Sequence, residues 1–328
     1  MNASQANSGD FFANVRRRLN DPDTRTGSII VLGLLVIPLF LLGYMAFIMW
    51  ETPAVEGLSS EGFQQSTVLY TSGGKEITRY YEQNRRWVPL DSIADIVPKA
   101  LVAAEDRRFY RHQGIDVQRT VGAILQTATG NVQGGSTITM QLVRNMFPDV
   151  GDDFALTRKF KEWFTALKLE DHYSKKQLLE FYLNSVPFGY NTSGVEAAAE
   201  TYFNESALEI DTLQAAQLVG MLKATSLYDP VDNPEEARER RNVVLDQLRE
   251  NGVITNAAFQ RLREQETPMG FAPATPSNNM APFFAAHARQ RLSDWAKRNG
   301  YNLYTSGLKV YTTLDAKKQK AAQEAVDE

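Results

Sequence analysis

The chain has 328 residues, 43% of them hydrophobic and 23% charged, a balance that supports an ordinary buried core and excludes a disordered or fibrous protein. Its net charge of -4 gives no global basic footprint, so nucleic acid is not an expected partner. With no cysteine it can form neither a disulfide nor a thiolate metal site.

From Ile29 to Trp50 the chain runs for 22 positions without a charge. At about 1.5 Å per residue that length crosses a hydrocarbon core of about 30 Å, so a transmembrane helix is expected over 29–50. Arg16, Arg17, Arg18 and Arg25 precede the run, whereas residues 51–74 hold Glu51, Glu56 and Glu61 and no Lys or Arg. The positive-inside rule then predicts a cytoplasmic tail at 1–28 and everything after Trp50 outside. A cleaved signal peptide fits less well, because the run is long and lacks a small-residue cleavage site.

Residues 51–97 read as a linker and a small β element: Thr67 to Val88 alternates short apolar runs around Ser72-Gly73-Gly74. Beyond Pro98 the spacing turns helical. Val97 to Glu105, Thr157 to His172, Lys175 to Asn184, Val195 to Tyr202, Thr212 to Leu222 and Pro234 to Asn251 carry apolar residues at helical intervals. Asp211 and Thr255 stand as start signals for two helices. A mostly α domain is therefore expected over 98–264. Gln265 to Pro282 reads as a linker, followed by a helix from Phe283 to Asn299, a strand from Leu308 to Thr313 and a further helix, so 265–328 is expected to lead toward another domain.

Three segments carry candidate chemistry. In the first, Glu105 to Asp116, acids, bases and aromatics close an apolar helix. A carboxylate there can take a proton as a general base, although a solvated helix end with ion pairs accounts for the local pattern equally well. In the second, Gly134 to Asn145, two glycines and the hydroxyls of Ser136 and Thr137 precede a helix start. Such a start can hold anionic or sugar oxygens, and taken alone it also fits an ordinary Ser/Thr cap. In the third, Arg158, Lys159 and Lys161 surround Glu162 on a helix whose Phe160, Trp163, Phe164 and Leu167 form the apolar stripe. Neutralising a departing anion and plain surface ion pairing both suit it. Lys175, opening the Leu178, Leu179, Tyr182 stripe, is equally open.

In this order the segments resemble the glycosyltransferase domain of class A penicillin-binding proteins and monofunctional peptidoglycan glycosyltransferases, glycosyltransferase family 51. Glu105 to Asp116 follows Glu-Asp-x-x-Phe-x-x-His-x-Gly-x-Asp, and Gly135 to Leu142 follows the second signature with Met140 where the family usually has Gln. Arg158-Lys159-x-x-Glu162 and Lys175-x-x-Leu178-x-Glu180-x-Tyr182-Leu183-Asn184 follow the third and fourth. A fifth starts near Leu213 and runs through Lys223 to Tyr228-Asp229-Pro230 and Asn233-Pro234.

The resemblance implies a lysozyme-like, mostly α fold with a membrane-associated lobe and small β elements at its edges. It implies lipid II and the growing glycan chain as substrates, with Glu105 as base and Glu162 as the second catalytic glutamate. Lys159 and Lys161 would neutralise the pyrophosphate, and Asp106, Ser136, Thr137, Gln141, Arg144, Arg158 and Lys175 complete the expected substrate-binding set. No cofactor is required by the sequence. Mg²⁺ or Mn²⁺ assists some relatives, and no dedicated ligand cage stands out here. The bilayer and other wall-synthesis proteins are the expected partners. Val117 to Val132 is expected to form a flap over the cleft.

A lysozyme-type wall hydrolase and an inactive membrane scaffold are the alternatives, and the cationic helix and both glutamates weigh against them. A transpeptidase site is not expected. Ser72 to Lys75 and Ser306 to Lys309 have the Ser-x-x-Lys spacing, but the first lies in a turn and no Lys-Thr-Gly follows either. Tyr304 to Asp315 resembles the linker into a transpeptidase domain, which points to a larger bifunctional parent.

Overall fold

The computed structural model describes residues 13, 22–56, 58, 66–80, 84–128, 134–147, 150, 154–273, 281–304 and 306–327. The fold is mostly helical, with scattered small β elements.

Helix α1, Pro22–Glu51, contains the whole charge-free run. Among the residues whose side chains are described, which in α1 begin only at Val36, no helix is long and apolar enough to cross a membrane. Side chains of α1 are described from Val36 onward, and there Ile37, Leu39, Phe40 and Leu42 lie exposed. Strands β1 (Thr67–Tyr70), β2 (Glu76–Tyr80) and β3 (Asn84–Arg85) follow, then α2 (Ile96–Glu105), α3 (Val117–Ala128), α4 (Ile138–Met146), α5 (Ala155–His172) and α6 (Lys175–Ser185). The chain continues through β4 (Pro187–Gly189), β5 (Thr192–Ser193), α7 (Val195–Phe203), α8 (Thr212–Met221), α9 (Pro234–Glu250) and α10 (Asn256–Glu264). Helix α11 (Pro282–Arg298), β6 (Lys309–Tyr311) and α12 (Ala316–Asp327) complete it.

The expected start signals act as caps. Asp211 accepts the Gln214 N–H at 2.9 Å and Thr255 accepts the Ala258 N–H at 3.1 Å, each satisfying a donor the helix start leaves free. Helix α8 is buried on all sides from Leu213 to Met221, which explains its nearly uniform apolar sequence: it is the central helix, against α2 and α9. Helix α4 packs in turn between α5 and α6. One continuous core joins these groups, with Leu101, Phe109, Ile138, Leu142, Leu169, Tyr182 and Val219 among its buried members.

The sheets use pairings that local alternation does not reveal. In the order β2-β1-β6, β1 pairs antiparallel with β2 and parallel with β6, so a strand near the chain's far end lies beside the one that follows α1. Leu69, Ile77 and Tyr80 pack with Ala281, Ala296 and Leu303 in a second, smaller core. Strand β3 leaves its sequence neighbours and joins β5 and β4. Ser72 and Gly74 lie on the β1–β2 turn, where Gly74 adopts φ 79°.

Helix α1 docks its last turns on α5. Ile48 is buried, the Tyr44 hydroxyl lies 2.8 Å from that of Thr157, and Lys168 donates to the Thr52 hydroxyl. The segment expected to form a flap is helical as far as Ala128, and its remainder, 129–132, lies outside the described residues.

Candidate active site

Glu105 is the last residue of α2, and its neighbours fix where it points. Asp106 is buried and accepts the Ile138 N–H at 3.1 Å and His112 Nε2 at 3.0 Å, so the end of α2 is fastened to the start of α4. A carboxylate at a helix N-terminus takes a free N–H and meets the positive end of the helix dipole. Thr137 caps the same helix by accepting the Met140 N–H at 3.2 Å, and its own hydroxyl donates to the Gly114 carbonyl at 2.6 Å. Phe109 is fully buried beneath this loop.

Held this way, half-buried Glu105 faces α4, and Gln141 Nε2 donates to its Oε2 at 2.8 Å. The Tyr182 hydroxyl, on α6, donates to Gln141 Oε1 at 2.9 Å. Burial holds the Tyr182 phenol far above its ordinary titration range, and the nearby charge of Glu105 adds to that, so it stays a neutral donor. Arg119 of α3 donates to the Glu105 main-chain carbonyl and, at 3.3 Å, to that of Gly134. Glu105 Oε1 carries no hydrogen bond among the described residues.

Three positions beyond Gln141, on the same face of α4, stands Arg144. Its Nε lies 3.1 Å from Glu162 Oε1, while Lys159 Nζ lies 2.7 Å from Glu162 Oε2 and 3.0 Å from the Ser136 hydroxyl. Glu162 is fully buried, and burying a carboxylate requires partners of this kind. One face of α4 therefore connects both glutamates: Gln141 touches Glu105 and, about 4.5 Å along the axis, Arg144 touches Glu162.

The expected site residues thus divide by contact. Glu105 and Gln141 form one bonded pair, and Arg144, Glu162, Lys159 and Ser136 form a second bonded set on the neighbouring stretch of α4 and α5. Asp106 and Thr137 are buried as fasteners behind them. Lys161 turns to α1, 3.5 Å from Glu51, because two positions along a helix point to different faces. Lys175 Nζ bonds Glu170 at 2.8 Å and the His112 carbonyl at 2.7 Å, 4.3 Å above the Phe109 ring. Arg158 is half-buried on α5 beside Lys159. Met140, the residue that departs from the usual pattern, is 2% exposed and packs in the core.

Three contributors escape a reading by chemistry alone. Tyr182 reads as one of an apolar stripe, and its signal is that a buried tyrosine hydroxyl needs a partner. Arg119 lies in the stretch with the weakest pattern. Asp116 accepts the Arg119 N–H at 3.0 Å and grips Arg108 through both oxygens, at 2.7 and 2.8 Å. Burial pushes its carboxyl up, but the Arg119 N–H and Arg108 outweigh that and hold it below its ordinary 3.8. The folded state then binds fewer protons than the unfolded one, so this stabilisation is complete above that range and lost as pH falls through the lower folded value. Unfolding free energy is expected to decline on acidification, with a smaller decline in Asp116→Asn; equal slopes in the two proteins would remove the role.

Gly114 lies where the loop crosses α5. It adopts φ +80°, and an added Cβ would sit 2.8 Å from the Ala166 carbonyl oxygen. Gly114→Ala is expected to lower stability by roughly 1–3 kcal/mol in denaturant unfolding, and parent-like stability would show that the loop can move aside.

Among the described residues no three or more His, Asp or Glu gather to hold a metal ion. A cavity of about 450 Å³ lies elsewhere, between the small sheet and Trp87; it contains Arg79 and Arg86, which pair with Glu76 and Glu200, and neither glutamate of the site.

The chain is similar to known proteins over the stretch that holds these residues. The sequence profile of the Transglycosylase family matches residues 73–249, more than half of the chain. Penicillin-binding protein 2D of Bacillus subtilis (strain 168) is 36% identical over 278 residues, 83% of this chain and 40% of that protein. Penicillin-binding protein 1A of Escherichia coli (strain K12) is 35% identical over 290 residues, 87% of this chain and 33% of that protein. The crystal structure of Penicillin-Binding Protein 1A from Haemophilus influenzae aligns with a TM-score of 0.44 at 25% identity, covering 80% of this chain and 29% of that one. The chain spans no more than 40% of the length of these relatives.

Proposed function

Because the chain belongs to the Transglycosylase family, we propose that it is a peptidoglycan glycosyltransferase, polymerising lipid II with Glu105 as the base. The observation that carries this reading is the single face of α4 on which Gln141, bonded to Glu105, stands three positions from Arg144, which with Lys159 surrounds the buried Glu162. A sugar transfer from a diphosphate needs a base at the attacking hydroxyl and positive charge at the leaving group, and this face joins the two.

In the proposed step the acceptor 4-hydroxyl attacks the anomeric carbon of the donor, which is the growing chain. The new oxygen–carbon bond forms as the bond to the diphosphate breaks, and its electron pair departs with undecaprenyl pyrophosphate. The hydroxyl proton passes to Oε1 of Glu105, the oxygen that Gln141 leaves open. Attack opposite the leaving group inverts the anomeric configuration. Arg144 and Lys159 offset the charge that grows on the diphosphate, and the Ser136 hydroxyl adds a donor beside Lys159. For Lys161 and Lys175 to join the donor side, Glu51 and Glu170 must yield to the diphosphate. Mg²⁺ or Mn²⁺ would supply further positive charge at the diphosphate if one assists, and no step here runs through it.

A hydrolase would use the same glutamate with water as nucleophile, but it has no need of cations gathered one helical turn away. The reading also takes α1 as a single membrane anchor, with the arginine-rich tail in the cytoplasm and the catalytic domain outside, as the charge distribution favours.

Incubation of the full chain with labelled lipid II, followed by sizing of the products, tests the proposal. Long glycan is the expected product. Free disaccharide would replace the transferase reading with the hydrolase, and unchanged substrate would favour a scaffold.

A further inference from the structure

The hydrogen bonds around Glu105 do not end at Gln141. A carboxylate can only accept, so the side of the Gln141 amide facing Glu105 must be its NH₂; its oxygen must then face Tyr182, whose hydroxyl donates to it. Without that hydroxyl the amide keeps only its bond to the carboxylate and loses the anchor on its oxygen side, so its Nε2 is free to swing away from Glu105. Tyr182 is 1% exposed in the main core, so its ring is fixed independently of the site.

We propose that Tyr182 is a positioning residue for the reaction: it anchors the Gln141 amide from its oxygen side and so holds Nε2 in place against Glu105 Oε2. The bond to Oε2 keeps that oxygen occupied and turns Oε1 toward the incoming hydroxyl. Few charged groups surround this line. Arg119 of α3 bonds only the Glu105 main-chain carbonyl, Arg144 on α4 is engaged with Glu162 on α5, and Asp106, next to Glu105, is tied to His112. None of them can replace the hydroxyl's hold on the amide. Tyr182 touches neither substrate in this arrangement and acts only through Gln141.

The inference rests on Glu105 being the base, and two measurements separate the failure of one from the failure of the other. The first uses the full chain without substrate and follows the ¹³C signal of the Glu105 side-chain carboxyl, assigned by its loss in Glu105→Gln, across a pH titration. In Tyr182→Phe the midpoint is expected to move up by about one unit, because the charged form loses a donor part of the time. An unchanged midpoint overturns the proposal, whatever the protein catalyses. The second is a double-mutant cycle in lipid II polymerisation. Tyr182→Phe is expected to lower kcat about tenfold with KM unchanged and to move the acid limb of the pH–rate profile upward. On a Gln141→Ala background the same change is expected to do nothing further. Equal losses on both backgrounds would make Tyr182 a packing residue and overturn the proposal. Tyr182→Phe keeps the ring in the core; should it still unfold, Gln141→Met, which removes the amide, is expected to raise the same carboxyl midpoint, and no change there overturns the proposal. If the parent protein made no polymer, the proposed function would fall while the carboxyl titration still decided the role of Tyr182.

Discussion

Glu105→Gln is expected to abolish polymerisation of lipid II while leaving the fold intact. The substitution keeps the shape of the side chain and an oxygen that can accept from Gln141 Nε2, so the contact at 2.8 Å survives in kind. What it removes is the ability to take a proton. General-base catalysis contributes about 10²–10⁴-fold, and the polymerisation rate is expected to fall by that factor at unchanged lipid II binding. Denaturant unfolding is expected to agree with the parent within about 0.5 kcal/mol, since the site is half-buried and no packing atom is lost. Polymer made at more than about a tenth of the parent rate would place the base elsewhere. Because Asp106 is buried and tied to Ile138 and His112, it is not a ready substitute.

Much of the fold and the residues of the candidate site could be read from the chain, and the reason differs from residue to residue. The helices were legible because their apolar periodicity matches the faces they bury, and their starts because Asp211 and Thr255 supply the acceptors that helix ends need. Glu105 and Glu162 were legible as parts of ordered motifs, not by their local chemistry, which fits a solvated helix end or a surface ion pair as well. The joining of β1 to β6 was not legible, since a parallel pairing across most of the chain leaves no local trace in either strand. Nor were the contacts of Lys161 and Lys175: a cation in a motif has the same sequence signature whether it faces a ligand or, as here, Glu51 and Glu170. Tyr182 was hidden for the opposite reason. Its ring satisfies the apolar stripe, and only the path of its hydroxyl to Gln141 distinguishes it from a core aromatic.

Glu162→Gln separates the two duties that the second glutamate can have. The side chain is fully buried, and its oxygens hold Lys159 at 2.7 Å and Arg144 at 3.1 Å. Breaking a buried ion pair usually costs about 3–5 kcal/mol, but the side chains of Arg144 and Lys159 are 48% and 37% exposed, so water takes over part of their charge. A loss of about 1–2 kcal/mol in denaturant unfolding is therefore expected. The effect on turnover is expected to be larger. A neutral amide leaves the two cations free to separate, and misplacement by about 1 Å is enough for a 10²-fold loss in rate. The anionic donor should meanwhile bind as well as before or better, because no carboxylate competes for the cations. The expected signature is thus kcat lower by about 10²-fold with KM for the donor unchanged or reduced. A raised KM at unchanged kcat would instead mean that Glu162 contributes equally to ground state and transition state. Lost stability with full turnover would make it a buried counter-ion for α5, leaving Glu105 as the one carboxylate with a chemical duty.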